Sequence, residues 1–203
     1  MTKQLLLTSL TVLVCSFVGT GKAAEGLSPE FLAEELQRTR SDPDSAVRIS
    51  IDAPRDYVFN FLTTRLDEYA EDAVALTFNH TDSDTPGNLD RGSLRTTTME
   101  NSETLVQRFL LADAPDEFAY HTDMDRSTLS APLQYSITRY QLTSIDRETT
   151  ELNVTVTYRA SSRLLAFFVR RAFNSALQRD FERAANIIAR SYRAELASAR
   201  DSN

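Results

Sequence analysis

The sequence predicts an α+β fold: a curved antiparallel sheet of about six to seven strands gripping a long C-terminal helix, with two short helices after the first strand. Three observations carry this expectation. Strand-like segments follow one another from residue 74 to residue 159 with turn residues between them, and runs of strands beside segregated helices define the α+β class. Leu152, Val154, Val156 and Tyr158 alternate with Glu151, Asn153, Thr155, Thr157 and Arg159, giving one dry and one wet face, the antiparallel signature. The chain then closes on a long amphipathic helix. Phe173, Leu177, Phe181, Ala184, Ile188 and Tyr192 form its apolar face, opposite Arg179, Glu182, Arg183, Asn186, Arg190 and Arg193.

The elements follow in order. Residues 1–23 read as a secretory signal: Lys3 opens it, Leu5 to Val18 is largely apolar, and Gly21-Lys22-Ala23 places small residues where a signal peptidase reads. The apolar run is shorter than the roughly 20 residues a membrane span needs. Val14 stands before Cys15 where a lipobox wants a small residue, so lipidation is not expected. Residues 24–46 read as a helical extension, either docked on the domain or mobile. In it Ser28 caps a helix from Leu27 to Arg40, and Pro29 suits the first turn.

The domain proper is expected over residues 47–197. It opens with a strand, Val47 to Ile51, which Asp52-Ala53-Pro54 breaks, and helices follow over Arg55–Leu62 and Leu66–Ala73. Strands are expected at Val74–His80, Arg91–Met99, Glu103–Leu111, Glu117–Asp125, Leu133–Ile145 and Thr149–Arg159, and the long helix at Arg163–Ala197. Residues 198–203 read as a disordered tail. The helix would be about 50 Å long at about 1.5 Å per residue, more than a flat sheet requires. A sheet curling around it leaves a space between the two, the natural ligand site.

Composition narrows the function classes. The formal charge is −7, the wrong sign for a nucleic-acid binder. Both lysines and no acidic residue fall in residues 1–23, so loss of that segment leaves 20 arginines against 29 acidic residues, a net charge of −9 and no cysteine. Such a chain relies on a packed core and not on disulfides. The two histidines, His80 and His121, lie on different strands in no ligand spacing, so no metal centre is expected. Asp42/Asp44, Asp82/Asp84 and Asp123/Asp125 lack the further ligands and the Gly of a calcium loop. Nucleophile-elbow, dinucleotide and P-loop motifs are absent, and no cofactor is expected.

Five stretches stand together: Ile51-Asp52-Ala53-Pro54-Arg55-Asp56-Tyr57-Val58-Phe59-Asn60-Phe61-Leu62, a strand end followed by Ala-Pro and a Val-Phe helix; Gly87 to Arg95; the turn Ala114-Pro115-Asp116 before a central strand; the strand Thr149 to Tyr158; and the terminal helix. Over Val47 to Tyr192 this pattern resembles the SRPBCC superfamily, with its START/Bet v 1-like helix-grip fold, most closely the polyketide cyclase/dehydratase-like branch. The glycine-rich loop of the plant members is absent, and an export signal is unusual for a mostly cytosolic family.

The candidate ligand-binding residues are Tyr57, Phe61, Tyr120, Tyr140, Val154, Tyr158, Arg170, Phe173 and Phe181. In an apolar pocket the Tyr hydroxyls supply a few oriented polar groups, and Arg170, on the helix face of Phe173 and Phe181, suits a cavity-mouth anchor. His121 is the one histidine with a candidate catalytic placement. It sits beside Tyr120, and one of the two must point inward because successive strand residues alternate. Three readings follow. The first is an exported, periplasmic or secreted binder of a small hydrophobic molecule, such as a lipid, polyketide-like or aromatic compound. The second is a cyclase- or dehydratase-like enzyme, which requires His121 inward near Arg95, Arg108 or a Tyr. The third is an interaction module docking through the apolar strip Leu164–Val169, a candidate for transient membrane or protein contact.

Overall fold

Period-two patterning along most of the chain folds as one seven-stranded antiparallel sheet. The computed structural model describes residues 27–129, 131–162 and 166–202, with side chains described outside 166–174. The elements are α1 (Pro29–Ser41), β1 (Ser45–Ile51), α2 (Arg55–Thr64), α3 (Leu66–Tyr69), β2 (Ala73–Asn79), β3 (Leu94–Met99), β4 (Thr104–Asp113), β5 (Glu117–Thr122), β6 (Leu133–Ser144), β7 (Thr150–Ala160) and α4 (Ala166–Asp201). The spatial order is β1-β7-β6-β5-β4-β3-β2, every neighbour antiparallel.

Most boundaries shift by one or two residues; four shift further within the described residues, and three of these have a local cause. The second short helix is one turn, because Asp72 takes a left-handed φ of 63° and redirects the chain into β2. β3 begins at Leu94, not Arg91, because Gly92 turns at φ 94°. A Cβ there would lie 2.0 Å from the Asp82 carbonyl oxygen, so only glycine fits. β5 ends at Thr122, not Asp125: the Ser127 amide donates to the Asp123 carbonyl and the Arg126 amide to the Asp123 carboxylate, closing a turn. At the C-terminus α4 continues to Asp201, so residues 198–201 are helical where a disordered tail was expected.

The register defines two faces. On one, the rows Val47–Val154–Tyr140–Phe118 and Ile49–Leu152–Leu142 meet α2 and the described part of α4. This is the concave side. Phe59 of α2 makes an edge contact with Phe118 at 5.5 Å, and Phe181 of α4 makes one with Tyr140 at 5.7 Å. Ala184, Ala185, Ile188 and Ala189 are buried, and α4 also meets α2 through Tyr57 and Tyr192, ring centroids 5.0 Å apart. Fully burying Ile188, Phe61 or Leu62 contributes about 2 kcal/mol each.

The N-terminal extension docks on the opposite, convex face. Ser28 caps α1 by accepting from the Phe31 amide. Arg139 of β6 then reaches up into α1. Its guanidinium donates to Thr39 Oγ1 (2.8 Å), to the Leu36 carbonyl (3.1 Å) and to Glu117 Oε1 (2.6 Å). Arg40 takes the other Glu117 oxygen at 2.6 Å, and Tyr135 donates to Glu35 at 3.0 Å.

Candidate functional site

Side chains alternate across a strand, so one inward residue and the register identify every other inward position. Arg95 is that residue: its Nη1 donates to the carbonyls of Leu62 (3.1 Å) and Thr63 (3.0 Å) at the end of α2. Thr97 is therefore inward on β3, with Gln107 and Phe109 on β4, Phe118, Tyr120 and Thr122 on β5, Ser136, Thr138, Tyr140 and Leu142 on β6, and Leu152, Val154, Val156 and Tyr158 on β7.

This face changes character along its length. At the end held by α2 it is apolar and aromatic. Phe118 and Tyr140 stack at 4.2 Å with their planes 10° apart, and Phe109 packs beside Phe118 and Tyr120. At the other end, toward the C-terminal end of β7, the inward residues are Thr97, Gln107, Thr122, Ser136, Thr138 and Tyr158. The first five of these are buried. Between the two ends the Tyr120 and Tyr140 hydroxyls hydrogen-bond at 2.8 Å. Burial pushes the Tyr140 and Tyr69 phenols well above the ordinary tyrosine range, with Arg95 pulling both back.

Arg95 is the least expected group on this face. It is 0% exposed and lies over the rings of Tyr120 (5.1 Å) and Phe109 (5.5 Å). Nε donates to Gln107 Oε1 at 2.9 Å, and Nη2 has no hydrogen-bond partner among the described residues.

Comparison with known proteins gives the fold its context. No protein-family model and no curated protein sequence matches the chain. Solved structures do match. A START superfamily protein from Mycobacterium smegmatis superposes with a TM-score of 0.55 at 7% identity, over 73% of this chain and 96% of that one. The ZhuI aromatase/cyclase from Streptomyces sp. R1128 gives 0.52 at 14% identity, over 74% and 93%. Norcoclaurine synthase from Thalictrum flavum gives 0.51 at 11% identity, over 74% and 93%. The chain has the SRPBCC helix-grip fold.

Within this helix grip the sequence-derived candidates fall in different places. Tyr120, Tyr140, Val154 and Tyr158 lie on the concave face, with Phe181 against Tyr140. Phe61 is buried in the core between Tyr57 and Tyr69. Tyr57 packs against Phe61 and Tyr192, its hydroxyl donating to Glu195 at 2.9 Å. Arg170 and Phe173 belong to the early turns of α4, and their side chains lie outside the described residues, as does the strip Leu164–Val169.

His121 does not share the concave face with these residues. Tyr120 takes the inward position, so His121 projects from the convex face in a row with Arg108 and Ile137. It is 7% exposed, and Nε2 has no hydrogen-bond partner among the described residues. Burial holds its pKa below the usual 6.5 against the opposing pull of Asp123. His80 is engaged elsewhere, its Nδ1 2.9 Å from Ser93 Oγ.

Two open grooves flank the described part of α4. One, of about 610 Å³, is lined by residues that include Ser50, Asp52, Arg183, Arg190 and Arg193. The other, of about 390 Å³, lies beside Tyr192, Thr149 and Leu196. Neither is lined by the concave-face residues.

Sequence reading placed Arg95 only as a partner for His121, and it missed Thr97 and Gln107. The run Arg95-Thr96-Thr97-Thr98 has no apolar alternation to mark a face. The register with β4 does so.

Proposed function

We propose that this protein binds a small, mainly hydrophobic molecule between the concave face of the sheet and the first turns of α4, and that it does so as an exported protein. The observation that carries the reading is the change of character along the concave face. A solid core would continue its apolar lining to the end of the sheet. Here buried Thr97, Gln107, Thr122, Ser136 and Thr138 replace it, and a few polar groups on an otherwise apolar wall are what a ligand pocket needs. The neighbours include a START superfamily protein and an aromatase/cyclase, which fits this reading by analogy of fold. Export is supported by residues 1–23, with their basic start, apolar run and small residues near the end.

The cyclase-like reading has less support, because His121 lies on the convex face, opposite Tyr120. Among the described residues, the titratable groups on the concave face of the sheet are Arg95 and the phenols, and burial raises the Tyr69 and Tyr140 phenols further above their ordinary value.

Thr122→Phe tests the pocket, since it adds a ring at the polar end of the face. Binding of the neutral apolar fluorophore N-phenyl-1-naphthylamine should weaken at least tenfold while the unfolding midpoint stays near that of the parent. Unchanged fluorophore binding, or a destabilisation of about 1–3 kcal/mol from overpacking with no binding in the parent, would show a filled interior.

A further inference from the structure

We infer that the bound molecule carries a carboxylate, and that Arg95 receives it. This deepens the proposed function and rests on it. The argument begins with what a buried guanidinium requires. A cation taken out of water is strongly disfavoured unless it is paired and hydrogen-bonded. Arg95 is fully buried, yet its protein partners are an amide oxygen, two backbone carbonyls and the nearby Tyr69 phenol, all neutral. Nη2 is left over.

Nor does the surrounding wall offer an acid. The inward positions of β3 to β7 hold no Asp or Glu. The residues of α2 and α3 that are buried are Val58, Phe59, Phe61, Leu62, Thr63, Leu66 and Tyr69, again without a carboxylate. From Leu152 to Arg179 the sequence has no acidic residue at all, so the early turns of α4 bring none.

The same face offers further donors. Thr97 Oγ1, two residues along β3 from Arg95 and on the same side, is buried with no hydrogen-bond partner among the described residues. In the Tyr120–Tyr140 pair one hydroxyl donates and the other accepts, which leaves the acceptor's proton to give. A fixed cation, a phenol and a Thr hydroxyl against aromatic walls form a donor set without a counter-charge. An oxyanion supplies what is missing. A carboxylate accepts from a guanidinium in charge-assisted bonds, while the rest of an apolar acid lies along the hydrophobic surface.

The test is displacement of N-phenyl-1-naphthylamine from the full-length protein by two chain-matched competitors, dodecanoate and dodecanol. The expected result is that dodecanoate competes at least tenfold better, and that Arg95→Met abolishes this preference while the fluorophore still binds. Arg95→Met leaves no carboxylate unpaired, and Thr97→Val provides a second variant, in which the preference should shrink. Equal competition by acid and alcohol in the parent overturns the inference and leaves the apolar pocket standing. A preference that survives in Arg95→Met also overturns it. If the fluorophore and both competitors fail to bind, the proposed function falls first and the inference with it.

Discussion

Tyr120 and Tyr140, on adjacent strands β5 and β6, join hydroxyls at 2.8 Å on the concave face while the Tyr140 ring stacks on Phe118. Two phenols share one hydrogen bond there, so each single removal strands the other's oxygen. Tyr140→Phe should cost about 1 kcal/mol, the net worth of a buried hydrogen bond. Tyr120→Phe with Tyr140→Phe should cost less than the sum of the singles, because the double variant leaves no orphan. Urea unfolding of the four proteins checks this, and strict additivity would count against the pair.

Arg139 is the bolt that holds α1 to the sheet. It joins Thr39 and Leu36 of α1 to Glu117 of β5. Arg139→Ala leaves Glu117, itself 8% exposed, with Arg40 as its remaining cation. The expected loss is about 3 kcal/mol, the low end for breaking a buried pair. Hydrogen exchange should rise across residues 29–41 before it rises in β6 or β7. Unchanged protection of α1 would show that other contacts hold it.

His121 gives the fold a pH dependence with a definite sign. Its folded pKa lies below the ordinary 6.5 because burial disfavours the cation. Well above 6.5 both folded and unfolded states hold a neutral imidazole, and His121 contributes nothing to the pH dependence. As pH falls below 6.5 the unfolded chain takes up the proton first, so stability declines. His121→Gln should therefore flatten the stability profile below pH 6.5 relative to the parent, measured by denaturation midpoints from pH 8 to pH 5. An unchanged profile would place the titration elsewhere.

The fold was legible because its signals are periodic. The alternation along β7 and the apolar face of Phe181, Ala184 and Ile188 come from burial itself; the alternation holds from Thr150 to Val154 and stops at Thr155 and Thr157, which are buried on the opposite face. Site geometry depends on register, which a single strand cannot reveal. Tyr120 and His121 are neighbours, and one of them had to face inward. Only the pairing of Tyr120 with Phe109 and Thr138 shows which. Arg95 was hidden for a related reason. A charged residue among threonines reads as a solvated strand, and its burial comes from α2 closing over it, a contact between residues 32 and 33 positions apart in the chain.

The most direct measurement of ligand seating is methyl NMR of the protein titrated with dodecanoate, because the strands carry their own control. Thr97, Thr122 and Thr138 lie on the concave face, while Ile137, Ala119 and Thr157 lie on the opposite side of the same strands or their neighbours. Saturable shifts confined to the first set are the predicted result. Shifts of equal size on both faces, or none at saturating ligand, would contradict a molecule held between the sheet and α4.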